Sequence, residues 1–259
     1  MTAIPVMTAN FGSWAVITAF AVILFGGFTK GAVGFGLPMI AISGIGSVMP
    51  AEVAVAALIL PGLVTNAWQS LRNGVVEAVA SLRKFWRLNA VLLVMIYVCA
   101  QLVVVIPENA LFIILGAGIT LFTTLQVIGF RPTTPRRLTA LVETGVGLLS
   151  GFFGGLSGVW GPPILMYLIS IETPKVEQVR VQGLSFLIGA AVLTVAHLRS
   201  GLLGAVNLPF SAILVIPAVA GMAIGLYYHD RMDQVLFRKA TLIVLAFAGL
   251  NLLRRGFIG

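Results

Sequence analysis

Two glycine-rich stretches gather the residue types that could seat an anion. The first reads Gly26-Gly27-Phe28-Thr29-Lys30-Gly31-Ala32-Val33-Gly34-Phe35-Gly36-Leu37-Pro38. The second reads Gly151-Phe152-Phe153-Gly154-Gly155-Leu156-Ser157-Gly158-Val159-Trp160-Gly161-Pro162-Pro163. Lys30 supplies an ammonium, Thr29 and Ser157 supply hydroxyl donors, and Trp160 supplies an apolar wall. Glycine permits sharp backbone turns, and Pro38 and Pro162 suit the first turn of a new helix, where no intrahelical N–H bond is lost. A chain that ends one helix and starts another exposes unpaired N–H groups and a positive helix end, which attract anions. Gly31, Gly34, Gly36, Gly155 and Gly158 are therefore candidate ligand-facing positions. Close helix packing through small residues is the alternative use of the same glycines.

Further polar groups lie inside otherwise apolar stretches, where each costs free energy in lipid and marks a functional candidate. Asn66 and Ser70 share one helical face at four-residue spacing, and Gln182 and Ser185 fall in a matching stretch of the second half. These four join the candidate substrate-binding set, with interhelical hydrogen bonding as the competing role. Arg72 and Arg199 end matching stretches. Their guanidinium forks suit the oxygens of an oxyanion at a gate or vestibule, or simply anchor the chain at headgroups. Glu143 is the one acid inside an apolar stretch. It suits proton coupling, or a salt bridge to the basic loop before it. No cofactor is expected. The lone Cys99 and the absence of a Cys/His cluster give no metal site.

The elements that must position these groups are membrane helices. Of 259 residues, 59% are hydrophobic and only 9% are charged, against about 25% charged in soluble domains. The net charge of +8 sits in short loops between apolar runs, so lipid headgroups account for it and nucleic acid is not expected as a partner. Met1 to Asn10 has no basic residue and does not read as a removable signal peptide.

The reading is an all-α polytopic membrane protein with ten apolar segments. They span roughly 11–29, 33–49, 52–71, 86–106 and 109–129, then 138–153, 158–171, 177–198, 206–227 and 235–253. A span needs about 20 residues, and segments two and seven are short. If all ten cross, every basic residue except Arg199, Arg254 and Arg255 falls on one side, with both termini on the other, periplasmic side. Eight full spans plus two re-entrant segments is the alternative. Loop 72–88 reads as a short interfacial helix at the cytoplasmic surface.

The halves repeat. Gly27, Gly31, Gly34 and Pro38 recur at a constant offset as Gly151, Gly155, Gly158 and Pro162. The string Leu71-Arg72-Asn73-Gly74 recurs as Leu198-Arg199-Ser200-Gly201. Five crossings is an odd number, so two such repeats insert with opposite orientations, a common plan for secondary transporters. The division is 1–130 as first repeat, 131–137 as linker and 138–259 as second repeat, together one transmembrane domain.

With these motifs the chain resembles the TauE/SafE, or TSUP, family of sulfite and organosulfonate exporters. The resemblance rests on Gly27-Phe28-x-Lys30-Gly31-x-x-Gly34-Phe35-Gly36, on Gly151-x-x-Gly154-Gly155-x-Ser157-Gly158-x-x-Gly161-Pro162-Pro163, and on Leu71-Arg72-x-Gly74 with its repeat. It implies transport of sulfite, sulfoacetate, isethionate or taurine-related organosulfonates across a bacterial inner membrane. Glu143 makes protons one candidate coupling ion. Exact substrate, direction and homo-oligomerisation stay open. An anion channel is the alternative function. An intramembrane enzyme acting on a lipid phosphate is the weaker one, because paired carboxylates or an acid–nucleophile set are missing.

Overall fold

The computed structural model describes residues 3–71, 74–130, 133–158, 160–228 and 234–258. Helices account for nearly all of them: α1 (Ala3–Val33), α2 (Leu37–Ile45), α3 (Ala51–Leu71), α4 (Val75–Lys84), α5 (Trp86–Ala100) and α6 (Glu108–Val127) in the first half. After a 3-10 turn at Arg136–Leu138 come α7 (Thr139–Ser157), α8 (Gly161–Ser170), α9 (Lys175–Arg199), α10 (Asn207–Tyr228) and α11 (Gln234–Ile258). In hydrocarbon every backbone polar group needs an internal partner, which apolar Leu-, Val- and Ala-rich stretches find only as helices.

Six helices in the described residues are long and apolar enough to cross a membrane: most of α1, then α3, α6, α7, the Val181–Arg199 part of α9, and α10. Large apolar side chains point outward from this bundle, Trp14, Leu141 and Ile216 each being more than 70% exposed. Outward apolar surface on that scale suits lipid rather than water. The chain is a multi-pass membrane protein.

The short segments are as short in space as in sequence. With 9 and 10 residues, α2 and α8 each rise only about 14–15 Å, half of a hydrocarbon core of about 30 Å. Neither is a full span on its own. Helix α2 is nearly all buried and runs back along α1, with Leu37 against Gly26 and Gly44 against Val22. A helix is present in loop 72–88, where an interfacial one is expected: it is α4, with Val75, Val76 and Val79 exposed. Its end is tied to α9 by the Lys84–Glu177 salt bridge at 2.7 Å.

Close packing uses the glycines. A Cβ on Gly27 or Gly31 of α1 would strike the backbone of α10 at Ala218 or Met222, and one on Gly221 or Gly225 of α10 would strike α1. In the second half, Gly147, Gly151 and Gly155 of α7 lie the same way against α5. The broadest contacts are α1 with α10, α6 with α11 and α5 with α7, followed by α3 with α10, α1 with α2, and α3 with α9. Pro61 inside α3 leaves the Ala57 carbonyl without its helical donor. Ser211 of α10 repairs the gap, donating to that carbonyl (3.3 Å) and accepting from the Leu60 N–H (3.1 Å). The start of the inter-half linker lies outside the described residues. Its Thr134 is held to the end of α8 by hydrogen bonds to Ser170.

Candidate functional site

Both glycine-rich stretches are helix breaks. In the first, α1 ends at Val33 and α2 begins at Leu37, with Gly36 as its N-cap at φ 108° and Pro38 in the first turn. In the second, Gly158 ends α7 at φ 71° and α8 begins at Gly161, with proline in its first turn. These positive φ values are open to glycine and strained for other residues. Gly34 turns the first break with φ 87°, and its carbonyl accepts from Gln69 Nε2 of α3 at 3.2 Å.

The breaks meet at a cavity of about 30 Å³. One water needs about 10–15 Å³ on this measure, so the space takes a compact ligand and nothing larger in this conformation. Lys30 and Asn66 give it its polar side. Phe35, Gly36, Pro38 and Met39 come from the first break, and Gly158, Trp160 and Gly161 from the second, with Phe186 of α9 completing the wall.

Lys30 occupies the last turn of α1 and is only 4% exposed. Its Nζ donates to Thr65 Oγ1 at 3.0 Å and to Asn66 Oδ1. Among the described residues no carboxylate pairs with it, the one salt bridge there being Lys84–Glu177. A buried ammonium held only by neutral oxygens is under-compensated. The supports are themselves fixed: Thr65 Oγ1 donates to the Pro61 carbonyl (2.7 Å), and Asn66 Nδ2 donates to the Phe186 carbonyl (3.2 Å). Opposite, Trp160 leans on Phe186 with centroids 6.2 Å apart. Gly154 makes room for that indole, because a Cβ there would come within 2.7 Å of it.

Of the sequence candidates, the cavity gathers Lys30, Gly36, Asn66, Gly158 and Trp160. Thr29 is buried behind Gly36, and its Oγ1, like Ser185 Oγ, has no hydrogen-bond partner. Gly34 shapes the break, Gln182 is buried, and Ser70 donates to the Gly183 carbonyl at 2.6 Å, joining α3 to α9. Ser157 donates to the Phe153 carbonyl of its own helix. Gly31 and Gly155 face neighbouring helices rather than the cavity, Gly31 toward α10 and Gly155 toward α5. Arg199 is exposed at the end of α9 and donates to Tyr97 Oη (3.2 Å). Arg72 lies outside the described residues.

Glu143 is buried away from the cavity, with its carboxyl on the Leu88 N–H and Arg87 in electrostatic range. Leu88 is in the first turn of α5, whose N-cap Phe85 has no capping side chain, so Glu143 caps α5 from α7 and complements its dipole. Thr65, Met39 and Phe186 were not singled out from sequence. Thr65 carries a signal, a hydroxyl adjacent to Asn66 in an apolar helix. Met39 and Phe186 carry none, because a ligand-facing apolar side chain and a packed one look alike in sequence. Among the described residues no group of His, Cys, Asp or Glu could hold a metal ion.

A family model described as sulfite exporter TauE/SafE matches residues 19–252. No curated protein and no solved structure matches the chain.

Proposed function

The chain belongs to the TauE/SafE sulfite exporter family, and from that premise we propose that it is a secondary transporter whose cavity between the two helix breaks binds its sulfur-containing anion. The observation that carries this is Lys30: a buried ammonium, without a carboxylate, at the wall of a cavity that both breaks enclose. An oxyanion supplies the missing charge, and the unpaired N–H groups at the start of α2 add a positive helix end. The substrates are sulfite and small organosulfonates such as isethionate or taurine-related compounds.

Alternating access between two inverted repeats, 1–130 and 138–259, is the mechanism we propose. The helix pairings support it. Helix α1 packs on α10 as α7 packs on α5, and α3 touches α10 as α9 touches α5. The pairs α3–α9 and α6–α11 join like with like. Exchanging the two halves leaves this pattern unchanged, as a two-fold relation between repeats requires. Loop charge favours a bacterial inner membrane orientation with both termini periplasmic. Proteoliposomes carrying the purified chain test the reading. Saturable uptake or exchange of sulfite or one of these sulfonates is expected. No transport and no thermal stabilisation by any of them overturns it.

A further inference from the structure

The chemistry of the cavity wall sets the charge its ligand carries. Lys30 is the one charged side chain among the described residues that line it. The groups facing Lys30 are neutral: Thr65 and Asn66 from α3, Met39 from α2, and Trp160 and Phe186 from the second half. The helix that packs on α1 beside it, α10, contributes Ala218 and Met222. The other buried ionisable groups lie elsewhere. Glu143 caps α5, and His197 sits fully buried beside the Gly155 carbonyl. Arg199 is exposed and turned to Tyr97.

An ammonium has three N–H donors. Two are spent on Thr65 Oγ1 and Asn66 Oδ1, which leaves one for a ligand. A ligand with one negative charge balances the site. A second negative charge would be buried in an apolar, water-poor space with no partner, at a cost comparable to that of an unpaired charge in a membrane. Phe35, Met39, Trp160 and Phe186 supply contacts that a methyl or short alkyl group satisfies and a fourth charged oxygen does not.

We infer that this cavity selects monoanions: hydrogensulfite and short alkanesulfonates enter it, and the dianions sulfite and sulfate are excluded. This rests on the reading of the cavity as the anion site. The transported form of sulfite is then its protonated form, so one proton accompanies each sulfite without any acidic residue of the chain taking part.

Methanesulfonate and sulfate test this directly, because both are tetrahedral sulfur oxyanions of similar size and differ by one charge and by a methyl group in place of an oxygen. Their binding to the detergent-purified full chain is measured by calorimetry across the neutral pH range, beside sulfite. Methanesulfonate binds, and sulfate binds at least about 100-fold more weakly. Any pH dependence of methanesulfonate reports the protein, since that ligand does not titrate there. The ratio of sulfite affinity to methanesulfonate affinity falls by about tenfold per pH unit once hydrogensulfite is the minor species. Sulfate binding as tightly as methanesulfonate, or a ratio flat with pH, overturns the monoanion rule while leaving the anion site intact. Binding of none of the three overturns the anion site itself.

Discussion

The two helix breaks share a glycine–proline frame and divide the work. At the first, Lys30 ends α1 and its amine reaches the cavity. At the equivalent place in the second, Gly154 has no side chain, and the indole of Trp160 covers it. Where the second break has Trp160, the first has Gly36, left-handed and open to the cavity. The start of α2 loses one N–H to Pro38. The start of α8 loses two, to Pro162 and Pro163. The first break is thus the charged, donor-rich side and the second the apolar side. Two similar backbones supply a counter-charge and a wall to one cavity. The lesson is that internal symmetry can fix the frame of a site while its chemistry stays one-sided.

Substitutions at the turning glycines strike transport hardest. Gly158→Val places a β-branched residue at φ 71°, with its Cβ only 3.0 Å from Leu58 Cδ1. The strain and clash cost about 2–4 kcal/mol. Gly34→Val meets the backbone strain alone, since the nearest atom to a Cβ there is Gln69 Nε2 at 3.9 Å. That variant loses about 1–3 kcal/mol. Both lose transport in proteoliposomes, and denaturation shows Gly158→Val as the less stable. Equal stability of the two, or normal transport in both, would remove the breaks from the account.

Trp160→Ala separates the wall from the charge. It opens a cavity against Phe186 and Gly154 and lowers stability by about 3–5 kcal/mol. Trp160→Phe keeps most of the apolar surface. Substrate affinity falls in the alanine variant and largely survives in the phenylalanine variant, read by calorimetry. An equal loss in both would point to the indole N–H rather than an apolar wall.

Glu143→Gln gives the smallest effect. Its side-chain carbonyl still accepts from the Leu88 N–H, so the loss is the charge on the α5 dipole, about 0.3–1 kcal/mol. The pH profile of transport stays as in the unsubstituted protein. A profile that flattens in this variant would assign Glu143 the proton-coupling role.

Sequence made the frame of the site readable because glycine and proline act on the backbone locally. Both breaks could be located to within a few residues from Gly34, Gly36, Pro38, Gly158 and Pro162. The assignment of individual glycines was less readable. Gly31 and Gly155 look like their neighbours in sequence, yet they admit a partner helix, because a missing Cβ serves close packing and ligand approach alike. The role of Lys30 depended on groups far along the chain. Thr65 and Asn66 lie 35 and 36 residues away, and nothing local distinguishes a lysine aimed inward from one snorkelling to headgroups. Glu143 was recognisable as buried. Its partner, a backbone N–H on another helix, has no side-chain signature.

The central claim is that Lys30 is the counter-charge of the transported anion, and one thermal-shift comparison tests it most directly. Melting of the purified chain and of Lys30→Met is followed with and without methanesulfonate. Replacing a buried, acid-free ammonium by an isosteric apolar chain removes a desolvation cost. Lys30→Met is expected to melt no lower than the unsubstituted protein without ligand and to lose the stabilisation by methanesulfonate. A variant that still gains the full shift would contradict the claim.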